Sequence, residues 1–134
     1  MQPVVQEHRE GCMLACAAML ANLTYGDVAV IAEKLGICAG DKRLYTSTEP
    51  MHRLLTRLGI GAVASVSDFR TWQELPDRCL LATKWHIKHG LPHWHWVAFL
   101  RDASGPVVLD PAAHLKNNRR KDFRRIKPKW FLAV

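Results

Sequence analysis

The sequence predicts a single α+β domain in which N-terminal helices pack on an antiparallel sheet. Three segments within the first 60 residues carry helical patterns, and five apolar segments from residue 60 onward suit strands. Helices followed by a run of strands are typical of α+β folds. A chain of 134 residues can bury one core and gives no reason to expect a second domain, so residues 1–134 are predicted to form one unit.

The first predicted helix begins near Cys12 and is apolar on every side, which is typical of a buried helix. If the helix starts there, the Cys12 thiol lies in the first turn, where unpaired backbone N–H groups and the positive end of the helix dipole favour a thiolate. Cys16 lies one turn deeper on the same face and is predicted to be a small core residue.

Capping patterns predict two further helices. Thr24 begins a capping-box pattern and Gly36 is a stop signal, so the second helix is predicted over residues 25–35. Thr48 caps a third helix that has a proline in its first turn and ends at Gly59.

The strands are predicted from β-branched and aromatic runs bounded by turn residues. They cover residues 60–66, 79–85, 94–100, 107–110 and 130–134. A short segment over residues 69–75 is compatible with a helix.

Two of these strands are predicted to form a hairpin that brings His95 close to Asp110. If its loop is residues 101–104, Leu100 faces Gly105, and counting back along both strands places Asp110 opposite His95 on one face. A one-residue change in loop length would break this register.

Four residues in chain order match the requirements of a thiol active site. A thiol nucleophile needs a base, the base needs an orienting partner, and the developing oxyanion needs a donor. Cys12, His95, Asp110 and Gln6 would supply these roles in turn. Each of them alone also has an ordinary structural explanation, and His93 is the main rival of His95 as the base.

The motif Gln6-(five residues)-Cys12-Met13-Leu14-Ala15-Cys16, followed by His95-Trp96-Val97 and Asp110-Pro111, resembles the peptidase C39 and C39-like family. This resemblance implies a papain-like cysteine peptidase fold of the stand-alone bacterial or phage type. It also implies that Cys12 is the nucleophile, His95 the general base and acid, Asp110 the orienter of the imidazole and Gln6 the oxyanion donor.

The family's pattern and the local sequence also suggest how substrate is bound. Trp94 and Trp96 flank His95, and Met13 follows the nucleophile, so these three are the candidate substrate-binding residues. The acidic residue that usually precedes the nucleophile is Gly11 here, which bears on substrate preference. The resemblance implies hydrolysis of a peptide or isopeptide bond, after a motif such as Gly-Gly. The same machinery serves an acyl transferase.

The net charge of +7 resides in one basic segment, residues 116–129, which holds eight lysines and arginines and one acid. Such a segment suits nucleic acid or an acidic protein, and a catalytically silent basic module is the alternative from another class. A peptidase is expected to tolerate neutralisation of the four arginines in this segment, whereas a nucleic-acid binder would lose its partner. The four arginines are Arg119, Arg120, Arg124 and Arg125.

Four histidines lie close together in sequence, at positions 86, 89, 93 and 95. They sit around a Gly-Leu-Pro loop without a thiolate pair at ligand spacing, so no metal and no cofactor is predicted. The loop from Trp85 to Trp94 is instead predicted to shape the entrance of the active site.

Targeting signals are not evident. The first residues hold no apolar signal region, and no stretch approaches the length of a membrane span. The four cysteines lack paired short spacing and are predicted to stay reduced. A cytoplasmic protein with no membrane partner is therefore expected.

Overall fold

The computed structural model describes residues 1–38 and 40–134, which contain three α-helices and six β-strands. The helices are α1 (Cys12–Ala21), α2 (Tyr25–Lys34) and α3 (Glu49–Arg57). The strands are β1 (Ser67–Asp68), β2 (Arg78–Lys88), β3 (Leu91–Asp102), β4 (Gly105–Leu109), β5 (Arg119–Arg120) and β6 (Trp130–Ala133).

The strands form one antiparallel sheet in the order β1-β6-β2-β3-β4-β5. Hairpins join β2 to β3 and β3 to β4, while β6 lies between β1 and β2. The helices pack on one face of the sheet, with α1 against β3. The prediction of an α+β fold with helices on an antiparallel sheet is therefore confirmed.

Local signals explain where the helices begin and end. The Thr24 hydroxyl accepts a hydrogen bond from the Asp27 backbone N–H at 3.1 Å and caps α2, as the capping pattern predicts. Asn22 ends α1 in the left-handed conformation, with φ of 56°.

The main core lies between the helices and the sheet. Every residue of α1 from Cys12 to Leu20 is at most 7% exposed, as its uniformly apolar sequence predicts. From the sheet, Trp94, Trp96 and Trp130 pack edge to face, with ring centroids 4.9–5.8 Å apart. These rings and the residues of α1 belong to one buried cluster.

Loops cover the other face of the sheet. There Leu81, Val97 and Phe99 form a second buried cluster. Trp72 packs against Phe99 and also against Phe123 of the basic segment, with a centroid distance of 4.9 Å to Phe123. The sheet is thus covered on both faces.

The prediction of a strand over residues 60–66 is wrong. Only the backbone N–H of Val63 reaches the sheet, where it donates to the Ala133 carbonyl at 3.1 Å. Pairing with β6 begins at Ser67, and Val63 and Val66 are 48% and 37% exposed. The segment 69–75 forms turns and no helix.

The prediction of a loop from Trp85 to Trp94 is also wrong. Both strands continue into this region and meet at a two-residue turn, His89-Gly90, whose φ angles are both positive. A bulge between Thr83 and His86 interrupts the pairing. The site is therefore bordered by an extended hairpin.

The β3–β4 hairpin has a shorter loop than predicted. Asp102 pairs with Gly105, and Leu100 pairs with Val107. The loop is two residues, 103 and 104, and the register differs from the predicted one by two positions. A shift of two keeps each side chain on its original face.

Among the described residues, no single helix is long and apolar enough to cross a membrane. Only α1 and α2 taken together meet that length and composition, and the two are bent by 109° relative to each other.

Candidate active site

The candidate nucleophile lies at the first position of α1. Gly11 is the N-cap residue and has no side chain to cap the helix, so backbone N–H groups of the first turn remain near Cys12. The Cys12 residue is 4% exposed and lines an open groove. The structure thus brings the thiol to a helix N-terminus, as the sequence predicts.

The start of α1 is packed closely against Tyr25 of α2. A Cβ atom at position 11 would overlap the Tyr25 hydroxyl, so only glycine fits there without a shift of the surroundings. The same hydroxyl forms a hydrogen bond with His8 Nδ1 at 2.8 Å. Tyr25 therefore holds the loop that leads into Cys12.

His95 and Asp110 are in direct contact. His95 Nε2 lies 2.7 Å from Asp110 Oδ1, and the side chains are 16% and 2% exposed. Their predicted direct opposition is wrong, because Leu109 pairs with Ala98, and this register continued by one residue would place Asp110 opposite Val97. The contact survives because a shift of two positions keeps both side chains on one face.

The open edge of β3 gives α1 access to His95. Strand β4 ends at Leu109, which pairs with Ala98, so β4 does not cover the edge of β3 at His95. The backbone N–H of Trp94 instead donates to the Tyr45 carbonyl at 3.1 Å. Cys12, Asp110 and the segment at Tyr45 meet His95 in this region.

The electrostatics of the pair favour an imidazolium and a carboxylate. Burial alone would lower the pKa of His95, but hydrogen bonds to Asp110 and Cys12 and the charges of both groups raise this pKa to about 9. Burial would raise the pKa of Asp110, but bonds from His95, the Ala112 N–H and Arg120 lower it to about 2. With Nε2 held by Asp110, Nδ1 is the ring nitrogen left to face Cys12.

The groove beside this pair has a volume of about 380 Å³. Its walls carry several basic or titratable side chains, one carboxylate and two aromatic rings. The lining residues are Arg9, Glu10, Cys12, Tyr45, His86, Lys88, His93, Trp94 and His95.

Gln6 lies next to the site, but its amide is engaged elsewhere. Its backbone N–H donates to the Pro111 carbonyl at 2.9 Å, directly after Asp110. Its Nε2 donates to the carbonyls of His8 and Arg9 at 3.1 and 2.8 Å. In this conformation Gln6 ties down the loop before Cys12, and its predicted role as an oxyanion donor requires one of these bonds to be exchanged.

Two of the predicted substrate-binding residues are in the core. Met13 and Trp96 are each 0% exposed, and Trp96 Nε1 donates to the Leu44 carbonyl at 2.9 Å. The prediction that they contact substrate is wrong, because neighbouring core residues cover them completely. Trp94 is 7% exposed and does line the groove.

Two of the other three cysteines, Cys16 and Cys79, are buried and poorly placed for catalysis, whereas Cys38 is exposed. Cys16 is fully buried, and burial together with the nearby charges of Cys12 and Asp110 raises its pKa well above the usual range. Burial also raises the pKa of Cys79 to about 12. All four cysteines are free thiols.

His93 shares the groove but not the carboxylate. Its Nδ1 lies 3.1 Å from the Leu91 carbonyl, and its ring stacks on His86 with centroids 5.5 Å apart. His95 is thus the histidine with the geometry of a triad base. No group of three or more His, Cys, Asp or Glu side chains in the described part of the chain is arranged to hold a metal ion.

Arg120 is a site residue that sequence reasoning missed. It lies on β5 opposite Val108, and its Nη1 donates to Asp110 Oδ2 at 2.9 Å. The sequence offered no signal for this contact, because an irregular segment of nine residues separates β4 from β5. From the sequence alone, Arg120 is only one of the eight lysines and arginines of the basic segment.

Comparison with known proteins found no matching family model, no similar curated protein and no similar solved structure.

Proposed function

We propose that this chain is a papain-like cysteine peptidase of the C39-like type. The observation that carries the proposal is the series Cys12, His95, Asp110: a thiol at a helix N-terminus, an imidazole that lines the same groove, and a buried carboxylate 2.7 Å from the imidazole Nε2. A thiol, a base and an orienting group in this order match the requirements of nucleophilic catalysis.

In the proposed mechanism the Cys12 thiolate attacks the carbonyl carbon of a peptide bond. The backbone N–H of Cys12 stabilises the oxyanion, and Gln6 adds a second donor once it releases the carbonyl of His8 or Arg9. Protonated His95 gives its Nδ1 proton to the leaving amine as the carbon–nitrogen bond breaks, which leaves a thioester on Cys12. Water, deprotonated by His95, then hydrolyses the thioester and restores the thiol.

Asp110 orients the imidazole throughout this cycle and stays ionised. Its carboxylate holds the Nε2 proton, so Nδ1 is the nitrogen that exchanges protons with Cys12 and the substrate. Arg120 binds the other carboxylate oxygen and favours its ionised form, so the proton of the imidazolium stays on His95.

The substrate we propose is a peptide or protein chain that lies in the open groove. The groove is open on one side, which suits an extended chain, and Trp94 and Tyr45 offer apolar contacts there. Cleavage after a small-residue motif such as Gly-Gly is proposed from the resemblance of the motifs around Cys12 and His95.

Selective alkylation of the cysteines tests the nucleophile without knowledge of the substrate. We expect iodoacetamide to label Cys12 at about pH 6 to 7, well below the pH at which a free thiol reacts, with mass spectrometry to locate the label. The His95→Ala variant should lose this labelling, because the charged imidazole that stabilises the thiolate is removed.

The matched control is Cys16→Ala, which removes a neighbouring thiol on the same helix face. This variant should keep both the labelling of Cys12 and the peptidase activity, whereas Cys12→Ala should lose both. Activity retained in Cys12→Ala and abolished in Cys16→Ala would refute the proposal.

A further inference from the structure

The two oxygens of the Asp110 carboxylate have different partners. Oδ1 lies 2.7 Å from His95 Nε2 and accepts the backbone N–H of Ala112 at 3.0 Å. Oδ2 accepts Arg120 Nη1 at 2.9 Å. Since the Asp110 side chain is only 2% exposed, water cannot readily replace these partners, and together they fix the rotation of the carboxylate.

Arg120 is itself held in place from two directions. Its strand position on β5 is set by pairing with Val108 on β4, two residues before Asp110. Its Nε and Nη2 bind both oxygens of Asp122 at 3.0 and 2.7 Å. A guanidinium anchored in this bidentate manner has little freedom to turn away from Asp110.

We propose that Arg120 is a positioning residue for the reaction proposed above, and that it keeps Asp110 Oδ1 aimed at His95 by holding Oδ2. This inference rests on the proposed function of Cys12, His95 and Asp110. It gives one charge of the basic segment a role in the active site. The expectation that a peptidase tolerates neutralisation of all four arginines therefore does not extend to Arg120.

Two effects of Arg120 on His95 have opposite signs, so they are separable. As a nearby cation, Arg120 disfavours the imidazolium, and its removal would raise the pKa of His95. As a positioning group, Arg120 maintains the hydrogen bond that His95 donates to Asp110, which holds the pKa of His95 high, and the removal of Arg120 would lower that pKa. The other titratable and charged groups near His95 are the same in the native protein and in an Arg120 variant. They are Cys12 and the groove residues Arg9, Glu10, His86, Lys88 and His93.

The experiment measures the titration of the His95 ring by NMR and the alkylation rate of Cys12 in Arg120→Ala. We expect the pKa of His95 to fall by about one unit. Because a misaligned imidazolium stabilises the Cys12 thiolate less, we also expect alkylation at about pH 6 to slow on the order of tenfold. Arg120→Lys should recover part of both, because an ammonium group can still bind Oδ2.

Arg119→Ala is the matched control. Arg119 is the neighbouring residue on β5 and carries the same charge, but its side chain binds the Met1 carbonyl and Gln2 at 3.0 and 3.2 Å. Both measurements should match those of the native protein in this variant.

An unchanged or higher pKa of His95 in Arg120→Ala overturns the proposal. If that variant does not fold, Asp122→Asn is the second test, since Asp122 is 42% exposed and its loss frees the guanidinium without burying a new group. The same downward shift, smaller in size, is expected there, and its absence also overturns the proposal. If Cys12 of the native protein shows no selective alkylation, the proposed function fails while the His95 titration still decides the role of Arg120.

Discussion

At the scale of single residues, the paired charges of His95 and Asp110 link the stability of the protein to pH. The pKa of His95 is raised from 6.5 to about 9, so its contribution to stability is fully present below about pH 6.5 and is lost as the pH rises through 9. The pKa of Asp110 is lowered from 3.8 to about 2, so its contribution is present above about pH 3.8 and is lost as the pH falls through 2.

We therefore expect the pair to stabilise the fold most between about pH 4 and 6.5, by on the order of 2 kcal/mol. The free energy of unfolding of the native protein minus that of His95→Gln should decrease by this amount between about pH 6.5 and 9. Urea denaturation at a series of pH values measures the difference. A difference that stays constant across this range would contradict the raised pKa of His95.

The residues that meet at the site were more predictable from sequence than the strand register that brings them together. Cys12, His95 and Asp110 were identified by their order and their residue types, and the structure places all three together. The hairpin loop was predicted two residues too long, yet the His95–Asp110 contact remained because the face was preserved. Arg120 could not be predicted, since its approach depends on where an irregular segment delivers β5.

Burial explains the other errors at the site. Met13 and Trp96 flank the proposed catalytic residues in sequence, but side chains of adjacent residues point in different directions on a helix and to opposite faces on a strand. Their neighbours face the groove or the site while they enter the core. Proximity in sequence to Cys12 and His95 was therefore a poor guide to substrate contact.

At the scale of secondary-structure elements, α2 determines how α1 begins. We expect Gly11→Ala to destabilise the fold by about 1 to 3 kcal/mol, because the new Cβ overlaps the Tyr25 hydroxyl in a packed region. Thermal or urea denaturation measures the loss. The double variant Gly11→Ala with Tyr25→Phe should recover part of it, since it removes the overlapping oxygen.

Gly26→Ala provides the control for this prediction. Gly26 lies in α2, where the nearest atom to an added Cβ is the Thr24 hydroxyl at 4.0 Å. Alanine there should be neutral or stabilise the helix by up to about 1 kcal/mol. Equal destabilisation by both substitutions would mean that the Tyr25 contact is not the cause.

Helices with local start and stop signals were predicted well, whereas the strand predicted over residues 60–66, which has no neighbouring strand to pair with in the described part of the chain, was not. The predicted bounds of the second and third helices agree with α2 and α3 to within two residues, because start and stop signals are local. Thr48 is the N-cap residue of α3, but its side chain makes no capping hydrogen bond. Residues 60–66 have the apolar composition of a strand, but pairing with a neighbour decides whether a strand forms. Only one backbone bond from Val63 reaches β6 there.

At the scale of the whole molecule, the basic segment serves as more than a solvated surface. Phe123 packs on Trp72, which leaves it poorly placed for stacking on a nucleic-acid base. Arg119 and Arg120 bind groups within the protein. These contacts weigh against the nucleic-acid alternative and favour a structural role for part of the segment.

We expect the double variant Arg124→Gln, Arg125→Gln to keep the alkylation rate of Cys12 within about twofold of the native value, because exposed surface charges contribute little to a buried site. Fluorescence anisotropy with a single-stranded oligonucleotide provides the parallel measurement. If the native protein binds the oligonucleotide with strong salt dependence and the variant does not, the nucleic-acid alternative is the better description of this segment.

The arrangement of the strands has a consequence for aggregation. The outermost strands of the sheet, β1 and β5, have two residues each and carry charged side chains, and such short charged strands resist the addition of a strand from another molecule. The long apolar strand β2 lies inside the sheet, because β6 covers it from Cys79 to Ala82. We therefore expect that detachment of β6 would leave the backbone of β2 from Cys79 to Ala82 unpaired on one side, where a strand of another molecule could pair with it.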